Sequence, residues 1–309
     1  MDPRQQLALV SCAMTRDALL SAGASDVWFD PPESGTLLAR FRANGADGVA
    51  AACPLFDLGG LLADGATLAR KAAFEERLHA YGARDALVWV PPGAALPDDP
   101  DRAAGIVADA VRDLEVGARG EAAFKVDVAV RKTGSEGSYM SVLGGLSQHW
   151  AKFTNQVMGE YQLDSSNVHR LPEDETKITQ MVDFLVLVAN GIRQDGNATT
   201  VQVEDTWRVQ RLDGLEQPVV LCAPPGSVAD GREVRRLMRR SLRDAEEAIG
   251  GADGFRIAAM ITLANSLDRE LVSTALRGID PLLLAGWDYM PLLVDGQVRS
   301  LLEPSAPLA

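Results

Sequence analysis

Two stretches of the chain share one grammar, and it limits what the rest can be. Residues 218–249 read PVVLCAPPGSVADGREVRRLMRRSLRDAEEAI, and residues 85–114 read DALVWVPPGAALPDDPDRAAGIVADAVRDL. Each is a short apolar run, a Pro-Pro-Gly turn and an amphipathic helix. A short, wholly apolar strand must be buried on both faces, and helices are what cover it. Asp99 before Pro100 has the form of an N-cap with proline at the first helical position. Asp230, three residues before Glu233, resembles a capping box. The expected fold class is therefore α/β with α+β character: mixed sheets with flanking helices.

The remaining segments fit that frame. Leu7, Val10, Met14, Ala18 and Leu19 recur at helical spacing and stop at Gly23, which predicts a helix over 3–22. SDVWFD and GTLLARFR read as strands about the turn from Pro31 to Gly35, and GVAAACPLF as a third. Helices are expected over 66–81, 100–115, 173–194 and 267–278. Strands are expected over 123–132, 157–164 and 200–212, and in FRIAAMITLA. Residues 139–157 have the spacing of a helix, weakened by Gly144 and Gly145. LLLAGWDYMPLLV and QVRSLL read as a terminal strand pair joined across Asp295-Gly296.

Both halves open with a helix, continue with a strand pair and reach an apolar strand near a cysteine and proline (Cys53-Pro54; Cys222-Ala223-Pro224). This order suggests an internal duplication. The expected organisation is two similar lobes, 1–172 and 173–309. The first carries an insertion near 133–157, and the second carries an arginine-rich helix.

Charge enters where partners are considered. The 309 residues hold 43 acids and 30 Lys or Arg, a net charge of -13. Such a surplus disfavours nonspecific attraction to nucleic acid or anionic membrane, but leaves room for a local basic patch. Cys12, Cys53 and Cys222 make neither a disulfide framework nor a metal spacing. No apolar run reaches membrane-spanning length, and Met-Asp-Pro-Arg leads directly into an amphipathic stretch without the form of a secretory leader. The expectation is a cytoplasmic protein with no metal, no cofactor and no membrane association.

Three places have the residue types for function. Arg232, Arg235, Arg236, Arg239, Arg240 and Arg243 fall within twelve positions of one helix, opposite Val234, Leu237, Met238, Leu242 and Ala245. That basic side can meet phosphates, a nucleic-acid backbone or an acidic protein, or be a solvated face answered by the chain's own carboxylates. The loop with Lys132, Gly134, Ser135 and Gly137 follows a strand and can offer backbone N–H groups to an anion, though it lacks Walker spacing. The insertion brings Tyr139, His149, Trp150 and Phe153 together as an aromatic contact surface or as packing for its own lobe. The Pro-Pro-Gly turns at 91–93 and 224–226, if they follow parallel strands, lie at the end of a sheet where α/β proteins bind ligands. His79, His149 and His169 show no metal spacing. Glu75-Glu76 sits where solvated helix residues commonly do, and Asp164, Ser165, Ser166 and His169 are ordinary turn composition rather than a triad.

These features favour a non-catalytic binding or assembly subunit of a cytoplasmic complex, with a protein partner or a second copy meeting the arginine helix and the insertion. Two readings stay open beside it. One is an enzyme or binder handling a small anionic ligand in a crevice near the Pro-Pro-Gly turns. The other is nucleic-acid binding through the arginine helix.

Overall fold

The structure is a computed structural model that describes residues 3–30, 36–55, 64–222, 230–251, 254–262, 269–294 and 297–303. It is an α/β fold with two mixed sheets of six strands each and flanking helices. In chain order the elements begin with α1 (Pro3–Ser21), β1 (Ser25–Phe29), β2 (Leu38–Ala43) and β3 (Ala46–Pro54). Next come α2 (Gly65–Ala80), β4 (Ala86–Trp89), α3 (Pro100–Arg112), β5 (Arg119–Gly134) and β6 (Ser138–Gly144). A 3-10 turn (Ser147–His149), α4 (Trp150–Thr154), β7 (Gly159–Ser165), α5 (Glu175–Gly191) and β8 (Ala198–Arg211) follow. The chain continues through β9 (Val219–Leu221), α6 (Gly231–Ile249), β10 (Phe255–Ile261), α7 (Arg269–Leu276), α8 (Pro281–Leu284), β11 (Met290–Val294) and β12 (Gln297–Leu302).

By contact the chain divides into two compact units. One is formed by residues 1–120 with 208–309, the other by residues 121–207. The expected boundary near 172 falls inside the second unit. Both crossings between units lie within strands, one in β5 and one in β8.

The first sheet runs β1-β2-β3-β10-β11-β12. Its centre is parallel, β3 beside β10 and β10 beside β11, and an antiparallel pairing flanks it on each side. β3 is wholly buried from Gly48 to Cys53, and its small residues let helices close on both faces. Val49, Ala51 and Cys53 pack under Val234, Met238, Leu242 and Ala245 of α6. Ala52, Ala259 and Ile261 pack under Val10, Ala13 and Met14 of α1. Phe41 lies opposite Gly48 in the β2–β3 register. A Cβ on that glycine would stand 2.4 Å from the ring, so the fully buried phenylalanine takes the space a side chain would need.

The second sheet runs β6-β7-β5-β8-β4-β9. β7 is parallel to β6 and antiparallel to β5; β4 is antiparallel to β8 and parallel to β9. In the second unit one sheet face packs Val128, Val130, Met140, Tyr161, Leu163 and Val203 against Ile178, Val182 and Leu185 of α5. The other face presents alternate, mostly polar residues such as Glu160, Gln162 and Asp164, the pattern of a sheet solvated on one side.

Several expectations change. The internal duplication is not confirmed: the first half opens with three strands of the first sheet, whereas the second half opens with β8, one long strand of the second sheet. Residues 139–157 are not a helix. SYMSVLG alternates at period two and becomes β6, and only 150–154 closes an α-helical turn. Gly144 ends that strand in the left-handed region, and a Cβ there would meet the Ser165 carbonyl carbon at 2.4 Å. Residues 281–284 form a short helix instead of a strand, because Pro281 opens it and Asp280 caps the Leu282 N–H. The turns at 31–35 and 295–296 and the 224–226 turn lie outside the described residues.

Candidate functional site

Local chemistry accounts for much of the arginine helix. Its apolar side is buried on the first sheet, so the arginines face outward. Arg235 Nε donates to the Ala275 carbonyl at 3.3 Å, and Arg239 Nη2 donates to the Gly278 carbonyl at 2.7 Å. Both guanidiniums thus serve the C-terminal end of α7, where unsatisfied carbonyls attract positive charge. Arg236 pairs with Glu233 at 2.6 Å and Arg240 with Asp244 at 3.7 Å, both on the same helix. The Arg232 and Arg243 side chains have no ion-pair partner among the described residues. Asp230 caps the helix through the Arg232 N–H, while Glu233 is taken by Arg236 instead of closing a capping box.

The Gly/Ser loop carries its own anion. Lys132 is buried, with Nζ 3.6 Å from the Asp195 carboxylate, and the Ser135 hydroxyl donates to the same oxygen at 2.5 Å. The backbone of Lys132 pairs with Gly196 and Asn197. Gly134 sits over Glu160, and Gly137 accepts from the Gly159 N–H. Burial raises the Tyr161 phenol above its ordinary value, and Asp195 adds to the shift.

The segment expected as an insertion divides between core and surface. Phe153 is fully buried with Met140 and Leu146 in the core of the second unit. Tyr139, Leu143 and Trp150 remain 53%, 50% and 54% exposed, on β6 and on α4, which packs against it. His149 is partly buried, and its imidazole is held below its ordinary value by burial first and by Lys152 second, with Glu175 opposing. Ser165 ties the far end of β6: its hydroxyl donates to the Leu143 carbonyl at 2.6 Å and accepts from the Leu146 N–H. That hydroxyl is spent, and His169 faces Asp205 rather than Asp164. Asp205 is almost completely buried and accepts the backbone N–H groups of His169 and Arg170, so it holds the turn after β7 in place.

β4 and β9 are parallel neighbours, Trp89 opposite Leu221, so the residues that follow both strands leave the sheet at one end. That is the arrangement the Pro-Pro-Gly turns require for a shared crevice, with Pro91, Pro92 and Gly93 described and 224–226 outside the described residues. Beside β9 lies a cavity of about 350 Å³ lined by Gln6, Lys71, Glu75, Glu76, His79 and Gln217, among others. Lys71 and Glu75 are each only 14% exposed and pair at 2.6 Å, and Lys71 also donates to Gln6 at 2.6 Å. The same Glu75 oxygen accepts the Val220 N–H at 2.8 Å. Glu75 therefore closes the outer edge of a terminal strand, a role that reading Glu75-Glu76 as solvated missed; the i, i+4 lysine was its available signal. Cys222 borders this cluster, and burial pushes its thiol up to about 11, against the opposing pull of Lys71. A second cavity, about 390 Å³, is lined by Arg16, Asp17 and Asp213 with apolar neighbours; Arg16 pairs with Asp213, and Asp17 with Arg119.

Among the described residues no group of three or more His, Cys, Asp or Glu side chains is placed to hold a metal ion, and no helix is long and apolar enough to cross a membrane. The chain matches no family model, no curated protein and no solved structure.

Proposed function

We propose that the protein is a non-catalytic binding or assembly subunit that works in the cytoplasm and docks through β6 and α4. The observation that carries this reading is the exposure of Tyr139, Leu143 and Trp150 on two elements packed together. Large side chains left half in water on adjacent elements are the composition of a contact surface. The arginine helix is a secondary contact, reduced to its outermost members, Arg232 and Arg243, because Arg235 and Arg239 already serve α7. For the same reason a nucleic-acid backbone would find fewer free cations than the sequence promises.

The test is gentle isolation of the tagged full-length protein, with mass spectrometry and light scattering on what elutes. A stoichiometric assembly is expected, and Trp150→Ser should release it without changing the thermal melt. Protein that elutes alone and stays monomeric when concentrated overturns the reading.

A second reading rests on the parallel β4–β9 ends and the neighbouring cavity. Lys71 is already matched by Glu75, so this cavity suits a polar neutral or cationic molecule better than an anion. A small molecule that co-purifies with the chain and is lost in Glu76→Gln would favour it.

A further inference from the structure

The terminal strands of the two sheets are not defended alike. β1 carries an irregular register between Ser25 and Trp28 and a left-handed Asp26. β12 carries Arg299. β9 is three residues long, follows Pro218 and has its Val220 N–H taken by Glu75. Bulges, charges, proline and covering side chains are the devices that stop a sheet edge from pairing with another chain. Among the described residues β6 shows no bulge, charge or proline, although α4 packs against it. Its seven residues, SYMSVLG, hold no charge and no proline in a chain that is 24% charged, and β7 is its one strand neighbour among the described residues.

The strand is also complementary to itself. Tyr139, Ser141 and Leu143 share the open face, in register with Glu160, Gln162 and Asp164 of β7. Met140 and Val142 share the core face. An antiparallel copy turned about Ser141 sets Tyr139 opposite Leu143, twice, and Met140 opposite Val142, twice. Aromatic–aliphatic pairs directly opposite one another are among the favourable cross-strand pairs, and a two-fold interface requires this reciprocity. Charge agrees with the geometry. Two copies that each carry -13 repel wherever acids face acids. Across this pairing the Glu160 and Asp164 rows of the two β7 strands stand three strand spacings apart, about 14 Å, beyond the screening length of about 10 Å at 0.1 M salt.

We infer that a second copy of this chain pairs antiparallel along β6, with the two-fold axis at Ser141, and extends the second sheet across the pair. The inference rests on the reading that β6 and α4 are a contact surface, and it names the partner. One seven-residue strand pair with two tyrosines, two leucines and neighbouring Trp150 makes an interface at the small end of specific ones, near 1,200 Å² as an order of magnitude. The dimer should accordingly have a Kd on the order of 1–100 μM.

Sedimentation velocity on the full chain over a wide concentration range tests it. A reversible monomer–dimer equilibrium is expected. Leu143→Lys or Tyr139→Lys should weaken it at least tenfold while the circular-dichroism melt stays where it was, because both side chains are half in solvent. The double variant Tyr139→Lys with Leu143→Glu should restore it, since the two substitutions face one another only in this register. Ser141→Cys should form an intermolecular disulfide on mild oxidation, and Gln202→Cys on the open face of β8 should not. The native thiols add little background, since Cys53 is fully buried and burial holds Cys12 and Cys222 near 11. If a lysine variant melts differently, the paired substitution and the cross-link decide the matter. A protein monomeric at every concentration, or a dimer that neither responds to Leu143→Lys nor cross-links through Ser141→Cys, overturns the inference. A monomer that still holds a different protein, released by Trp150→Ser, overturns self-pairing and leaves the assembly reading standing.

Discussion

β9 and β6 end the same sheet and are built on opposite rules. β9 is short and flanked by α2, whose Glu75 reaches across to accept the Val220 N–H. The side chains along it, Lys71, Glu75 and Gln6, are knitted into one polar cluster. β6 is more than twice as long, and its outward residues are tyrosine, serine and leucine. An uncovered edge leaves backbone N–H and C=O groups that ask for partners. A sequence that sets a partly buried ion pair over one edge and no charge on the other treats the two differently. Tyr139 and Leu143 thus belong to a sheet edge, not merely to an apolar patch.

Substitutions at either edge test this contrast. The largest effect is expected at Gly144→Ala, which asks a left-handed residue to carry a Cβ against the Ser165 backbone. It should cost about 3 kcal/mol or more in urea unfolding and loosen hydrogen-exchange protection along β6. A loss below about 1 kcal/mol would mean that β6 does not need this close approach. Next is Glu75→Ala, which leaves the Val220 N–H and the mostly buried Lys71 without their shared carboxylate. A loss of about 2 kcal/mol is expected, read as a lower urea midpoint at unchanged slope. Glu75→Gln keeps an acceptor for Val220 and should cost less. If β9 then also self-associates, covering was Glu75's task; if only stability falls, the ion pair mattered for packing alone. Pro218→Val should change stability by about 1 kcal/mol at most, while offering the edge one more N–H.

The smallest effect is a pH dependence beside β6. The His149 imidazole sits below 6.5 in the folded chain, chiefly through burial. As pH falls through 6.5, the unfolded chain takes up that proton more readily than the folded one. The contribution of His149 to stability is therefore full above 6.5 and is lost as pH falls through the lower folded value. Urea midpoints compared at about pH 7.5 and about pH 5.5 should converge between the wild type and His149→Gln at the acid end. A constant gap would remove His149 from the account of this region.

Much of the architecture was legible because it is written locally. Asp99 caps α3 through the Asp101 N–H and Pro100 opens it, as the residues alone suggest. The six arginines lie on one helix whose other side is buried. The alternation of apolar runs and helices foretold two mixed sheets. The twin Pro-Pro-Gly segments follow strands that prove to be parallel neighbours. What was not legible is non-local. The likeness between halves suggested lobes that repeat, yet both sheets draw strands from both halves: β3 lies beside β10 in the first, and β4 lies between β8 and β9 in the second. Asp195 occupies the loop expected to hold an external anion, across 60 residues of sequence. Arg235 and Arg239 find their acceptors 40 and 39 residues away.

Caps, turn residues and apolar periodicity placed most helices and strands in advance, residues 139–157 and 281–284 being the exceptions. A helix satisfies its backbone within four residues of itself, and periodicity exposes its buried side. The tertiary structure alone decided which strands became edges. A strand satisfies its backbone only through neighbours from elsewhere in the chain, and the same seven residues are a core strand or a bare edge according to how many neighbours arrive. Glu75 reaches Val220 across 145 residues, while β7 is the one strand beside β6 among the described residues. Neither fact is visible in the letters of the strand concerned.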